Sequence, residues 1–297
     1  MSVFVIIPVH NRRDFTRACL ASLREQGFRD FTIVVVDDGS TDGTSKTLAE
    51  EFPAVRVLIG DGTLWWTGAM NVGVGWVMRQ ASDDDAIVTL NNDTLPPPDY
   101  LDRLLAAQAS QPGALVGSLL VSAADRRMIV DGGVRIHWPT AKYSSDQLAE
   151  PLPLRRANHP DLYHVDVLSG CGTIIPVETF RKVGPYNERS LRHYGADYEF
   201  SRRAQAAGFP LYVDKASILY VHEHETGVHD AVGHRDLRVL LRSFSDIKSA
   251  NDLRLRWRFA RRVCPRRWQL TYVPCDYARV IVGSFKRHWT NRVRESA

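Results

Sequence analysis

The chain has 297 residues, 44% of them hydrophobic and 24% charged, which are the proportions of a water-soluble globular protein large enough to bury a core. They exclude a disordered, collagen-like or coiled-coil chain, and no apolar run approaches the ~18 residues of a membrane span. From Arg235 onward 16 Lys/Arg face 5 Asp/Glu, a local +11 within an overall +4, so a body of net charge −7 carries a basic tail.

Residue periodicity predicts, in order, strand 3–9, helix 14–26, strand 32–36, helix 42–51, strand 55–59, helix 67–80, strand 86–90 and helix 98–110. Such alternation implies a mostly parallel sheet covered by helices. Gly27 is expected to end the first helix in a left-handed conformation, and the turn 40–43 to cap the second. Strands 115–121, 128–136 and 165–176 follow around a polar loop, then helices 177–183 and 197–207 and strand 210–221. A body of 1–233 and a basic helical extension of 234–297 are expected. In the extension Leu237, Leu240, Leu241, Phe244 and Ile247 make one amphipathic face. Tyr277, Val280, Ile281, Phe285 and Trp289 make another, beside Arg279, Lys286, Arg287 and Arg292. Such a basic face suits either an anionic membrane surface or packing on the body or on a second copy of the chain. Nucleic acid is not an expected partner, since no nucleic-acid module is present.

The cysteines Cys19, Cys171, Cys264 and Cys275 form no C-x-x-C pair and suggest neither a zinc site nor a disulfide framework. The N-terminus lacks the features of a signal peptide, so the expected location is the cytoplasm, with peripheral attachment to the inner face of the membrane through the tail.

Ligands of open α/β sheets bind outside the carboxyl ends of the strands. Three such ends carry polar groups: PVHN at 8–11, DDGS at 37–40 and NND at 91–93. The first is not G-x-G-x-x-G, which argues against a dinucleotide-dependent oxidoreductase. Taken singly, Asp37 and Asp38 read as turn formers, Asp93 and Asp197 as helix caps, and Trp65 and Trp66 as core. At parallel strand ends the acids together suit a nucleotide with a divalent cation.

In order, VIIPVHNR (5–12), VVVDDGSTDGT (34–44), GTLWWTGAMNVG (62–73), LNNDT (90–94), SGCGTIIP (169–176) and YGADYEFSRRAQAAG (194–208) resemble the motifs of family 2 glycosyltransferases of GT-A fold. Bacterial surface-polysaccharide members, rhamnosyltransferase-like ones included, are the most similar. The resemblance covers about residues 2–230 and implies inverting transfer from a nucleotide sugar, UDP- or dTDP-linked, to a glycan or glycolipid acceptor. It implies that Pro8, Asn11 and Asp38 hold the nucleoside, that Asn92 contacts the ribose, and that Asp93 is the metal-binding acid of a D-x-D motif whose first acid is here Asn91. Gly68 and Asn71, at a helix start, are further nucleotide-binding candidates. Asp197 is the expected general base, preceded by Ala196 where the family has Glu, with Glu199 the alternative. His222, or else His224, corresponds to the family's late metal- or diphosphate-binding histidine; a histidine ligand favours Mn²⁺ over Mg²⁺. The departures at Asn91 and Ala196 leave a second reading, a nucleotide-sugar-binding module without turnover.

Overall fold

The computed structural model describes residues 1–145, 160–222, 237–246, 249 and 251–295. The first half alternates as its periodicity requires: β1 Val3–Val9, α1 Arg13–Arg24, β2 Phe31–Asp37, α2 Thr44–Glu51, β3 Arg56–Ile59, α3 Trp65–Val77, β4 Ala86–Thr89, β5 Thr94–Leu95 and α4 Tyr100–Ala109. Thr16, Cys19, Leu20 and Leu23 form the buried face of α1 at helical spacing. Gly73 lets α3 lie close on β1, since a Cβ there would come within 2.6 Å of Ile6 Cγ2.

The second half contains β6 Leu115–Ser122, β7 Ile129–Asp131, β8 Arg135–His137, β9 Lys142–Ser144, β10 Leu162–His164, β11 Thr173–Pro176, α5 Val177–Val183, α6 Ala196–Ala206 and β12 Leu211–Val221. The main sheet runs β10-β12-β6-β11-β4-β1-β2-β3, with β5 added on β12 and β7 on β6. β11 is antiparallel to both β4 and β6, whereas β1 is parallel to β2 and β4, and β6 is parallel to β12. Most strands therefore end on one edge, and the apolar core lies between the sheet and its helices.

Two long strands expected here are broken by glycines. After Asp131 the chain turns at Gly133, φ 73°, and residues 135–137 pair in a separate hairpin with β9. Gly172, also φ 73°, confines the second strand to residues 173–176. Only a residue without a Cβ adopts that conformation at no steric cost. Gly27 has no positive φ. Its need is space, because a Cβ would stand 2.7 Å from Asp102 Oδ2 while its N–H donates to the Pro98 carbonyl at 2.8 Å. The N-cap of α2 is Gly43 (φ 88°), which has no side chain to cap with, and the preceding Asp42 Oδ1 accepts from Thr44 N–H at 3.1 Å.

Among the described residues the tail has three α-helices, α7 Leu237–Ser243, α8 Leu253–Val263 and α9 Gln269–Glu295; the second was not anticipated. Asp252 starts α8 by accepting from Arg254 N–H at 2.8 Å, and Arg256 grips Asp276 of α9 with bonds of 2.7 and 3.0 Å. Phe259 and Val263 join the body's core, and Ala260, Cys264 and Tyr272 pack with Ile136, Ala141 and Val167. The buried stripe of α9 runs through Tyr272, Asp276, Val280, Ser284 and His288, so of the expected face only Val280 is fully covered and Trp289 is exposed. Leu240 is buried in α7 while Leu237 and Leu241 are exposed; Ile247 lies outside the described residues. No helix among the described residues is long and apolar enough to cross a membrane.

Candidate active site

The first two strand ends are locked together by their own polar groups. β1 runs out through Pro8 to Asn11 and Arg12, both in the left-handed region (φ 58° and 62°). Asn11 donates its N–H to Ser40 Oγ at 2.7 Å and accepts from Thr41 N–H at 2.9 Å, and His10 Nδ1 donates to the Asp38 carbonyl at 2.6 Å. Asp38 is buried and accepts three backbone N–H groups, from Gly62 (2.8 Å), Leu64 (2.9 Å) and Trp65 (3.1 Å). A carboxylate has about four acceptor positions, so one remains for a ligand.

In the middle of α3, Asn71 commits its amide to the loop before α6, donating to Tyr186 O (3.0 Å) and accepting from Tyr186 N–H (2.9 Å). Gly68 backs onto the same loop, where a Cβ would meet Glu188 Oε1 at 2.9 Å. The observed partners of both candidates are thus structural. Trp66, read as core, does pack against it, and its Nε1–H also donates to Asn91 Oδ1 at 3.1 Å.

The triplet at 91–93 points three ways. Asn91 faces Trp66, while buried Asn92 turns toward α1 and donates to Thr16 Oγ1 at 3.0 Å. Asp93 pairs with Arg12 at 3.2 Å, its side chain only 4% exposed. The pairing of β5 with β12 brings His222 alongside, its N–H donating to the Asp93 carbonyl at 3.0 Å and its ring edge-on to Phe15 at 5.1 Å. Among the described residues no group of three or more His, Cys, Asp or Glu could hold a metal. Asp93 offers a carboxylate and His222, bonded to it through the backbone, an imidazole, so a cation held by these two would take its other ligands from elsewhere. His224 lies outside the described residues.

The fourth contributor is the start of α6. Its N-cap is Gly195 (φ 78°), so Asp197 is not the cap. Asp197 Oδ2 accepts from Gly170 N–H and Oδ1 from Tyr198 N–H, both at 2.9 Å. Gly170 is pressed between Asp197 and Trp66; a Cβ would come within 2.4 Å of the Trp66 ring and 3.1 Å of Asp197 Cβ. A continuous path therefore joins Asp197 through Gly170 and Trp66 to Asn91 at the strand ends. Desolvation pushes the Asp197 carboxyl up to about 6, against the pull of its two backbone donors and with a further push from the charge of Asp131. Glu199 is excluded by its surroundings: it is buried with both oxygens bonded to Arg203 Nε at 3.0 Å, and Arg203 in turn donates to the Val183 and Pro185 carbonyls.

Arg12 and Asp131 were not singled out by the sequence, and Trp66 reads there as core. Arg12 carried a signal, a cation directly after a strand-end motif. Asp131 carried none, because it falls within a segment that reads as one strand. Its carboxyl is also raised by desolvation, opposed by bonds from Gly133 and Gly132 N–H and the Ser169 hydroxyl. Asp131 and Asp197 thus grip the neighbouring residues Ser169 and Gly170.

Comparison with known proteins bears on the family and the fold. Residues 4–184 match the family described as Glycosyl transferase family 2. An N-acetylglucosaminyl-diphospho-decaprenol L-rhamnosyltransferase of Mycobacterium tuberculosis is 28% identical over 246 residues, 75% of this chain and 78% of its own length. An O-antigen biosynthesis protein of Myxococcus xanthus is 26% identical over 79% of this chain but only 18% of its own. Among solved structures, a 1–349 fragment of S. aureus TarS superposes with TM-score 0.57 at 15% identity, over 100% of this chain and 92% of that one. GalNAc-T7 with UDP, GalNAc and Mn2+ gives 0.56 at 17% identity, over 74% of this chain and 43% of that one. A Pyrobaculum calidifontis mannosyltransferase with GDP-Man and Mn2+ gives 0.53 at 15%, over 98% and 73%. With residues 4–184, more than half of the chain, matched to the family, the chain belongs to glycosyl transferase family 2, a glycosyltransferase of GT-A fold resembling bacterial surface-polysaccharide enzymes.

Proposed function

We propose that the protein transfers a sugar, with inversion, from a UDP- or dTDP-linked donor to a hydroxyl of a bacterial surface glycan or glycolipid. The observation that carries this reading is Asp197: a desolvated carboxylate, oriented by two backbone N–H groups and connected through Gly170 and Trp66 to the strand ends. A base whose carboxyl titrates near 6 is ionised at neutral pH yet more basic than an ordinary Asp, which suits proton removal from an alcohol. In the proposed step the acceptor O–H proton passes to Asp197, the acceptor oxygen bonds to the anomeric carbon, and the bond from that carbon to the diphosphate breaks with both electrons leaving on phosphate oxygen.

Pro8, Asn11 and Asp38 bracket the base of the donor, with the remaining acceptor position of Asp38 available to it. Asn91 and Asn92 form the ribose end, and Gly68 and Asn71 act by holding the 186–188 loop. Arg12 and Asp93 occupy the diphosphate end. A divalent cation held by Asp93, with His222 beside it, would offset the charge of the departing diphosphate. Arg12 supplies positive charge at the same place, which bears on the loss of an acid at Asn91. The named acceptor lipid of the M. tuberculosis relative and the exposed Trp257, Leu270, Val282 and Trp289 of the tail support a cytoplasmic enzyme working against an anionic membrane surface. Donor hydrolysis tests the reading: Asp197→Asn is expected to lower it by roughly 10²–10⁴, and Asp93→Ala to reduce it and its dependence on Mn²⁺. Equal rates in wild type and both variants would sink the roles given to Asp197 and Asp93, and no hydrolysis above background in any of the three would leave a binding module without turnover.

A further inference from the structure

Two adjoining cavities, of about 190 and 540 Å³, lie between the 189–194 loop and α8. Six arginines line them: Arg189, Arg192, Arg254, Arg258, Arg261 and Arg262. The four on α8 follow a spacing of four, three and one residues, so they share one helix face, opposite the face that buries Phe259, Ala260 and Val263. Among the described residues none of the six forms an ion pair. Arg262 donates to Ser190 Oγ at 2.9 Å, and Arg261 lies over the exposed Trp257 ring at 5.9 Å. Among the described residues Asp252 is the one acid of the walls, and its carboxylate is the cap of α8. Six like charges around one groove repel each other, and a multiply charged anion with oxygens for guanidinium forks would relieve that repulsion.

The groove is also placed to serve the reaction. His193 and Tyr194 form its wall, and Gly195, the N-cap of α6, follows directly, touching the Phe259 ring of α8. On its other side the same segment contacts the start of α3, where the Arg192 carbonyl accepts from Thr67 N–H at 3.2 Å and the His193 ring meets Trp65 at 5.5 Å. An anion in the groove is thereby separated by the 189–195 segment from the start of α3, whose Trp66 bonds Asn91. It would belong to the acceptor and not to the donor.

We infer that this groove binds the diphosphate of a lipid-linked sugar acceptor, with the arginines of α8 and of the 189–192 segment gripping the phosphates, Trp257 taking the first carbons of the lipid, and the sugar directed toward Asp197. The role of the sugar rests on the transferase reading above; the diphosphate site does not.

The intact chain is titrated with geranyl diphosphate, inorganic pyrophosphate and phosphatidylglycerol vesicles, followed by tryptophan fluorescence, since Trp257 lines the groove. Saturable binding of geranyl diphosphate is expected, weakened at least about tenfold by Arg258→Ala/Arg262→Ala and by Arg189→Ala/Arg192→Ala. These side chains are exposed, so circular dichroism and donor hydrolysis should match wild type. Unchanged binding in both variants overturns the inference, and so does binding to vesicles alone, which would make the groove a general membrane contact. Loss of diphosphate binding with donor hydrolysis intact supports the groove. Absence of donor hydrolysis in wild type with diphosphate binding intact would sink the transferase reading and leave the groove standing.

Discussion

Replacing Asp197 by Asn should make the enzyme slower and the fold more stable. In the unfolded chain this carboxyl titrates near 3.8, and in the folded protein burial raises it to about 6. Below 3.8 it is protonated in both states and folding carries no penalty. The penalty grows as pH rises through the interval to about 6 and is complete above it, at about 3 kcal/mol. Asn is neutral throughout and close in shape, but it keeps only one acceptor for the N–H groups of Gly170 and Tyr198. The lost bond costs about 1–2 kcal/mol. A net gain of about 1–2 kcal/mol is therefore expected at about pH 7.5, shrinking to nothing or reversing below about pH 4. Urea denaturation of both proteins across that range measures it, alongside donor hydrolysis at each pH. A variant less stable than wild type at neutral pH would refute the reasoning, since Asp197 would then be an element of the fold and not a base held at the expense of stability.

Asp131→Asn removes a charge that raises Asp197, so the acidic limb of the pH–rate profile should move to lower pH, by less than the rise due to desolvation; an unmoved limb would show that the two acids do not interact. Gly170→Ala drives a methyl group into the Trp66 ring and against Asp197, and kcat should fall at least about tenfold while the protein stays folded. Wild-type turnover in that variant would show that the path from Asn91 to Asp197 is not used. Asn71→Ala leaves the Tyr186 N–H without its partner and removes one of the two donors to the Tyr186 carbonyl, which keeps Glu188 N–H, for a loss of about 1–3 kcal/mol in denaturation. A weaker donor affinity without loss of stability would instead place Asn71 on the nucleotide.

Local pattern exposed much of this protein. Elements such as β1, β2, α1 and α4 were legible because their apolar residues recur at a period set by the element itself. The glycine breaks at 133 and 172 were not, because the same residues also read as continuous strand. Nor was α8 recognised, although Phe259, Ala260 and Val263 lie on one helical face; alternating arginines through Leu253–Val263 masked it. The motif set was legible as a set, since each piece is short and its order along the chain is what makes it specific.

The sequence by itself determined the alternating α/β body, the polar strand ends, the family and the presence of an acid at 93 and at 197. Only the tertiary structure decided how those groups are used. Three adjacent residues, Asn91, Asn92 and Asp93, turn to Trp66, Thr16 and Arg12 respectively. In α6 two acids one turn apart in role, Asp197 and Glu199, separate into a desolvated carboxylate at the site and the buried partner of Arg203. The physical reason is that periodicity operates over a few residues, while direction in a turn is set by left-handed residues and by strand pairing. The partners so assembled, Asp131 with Ser169, Gly170 with Asp197 and β5 with β12, lie far apart along the chain.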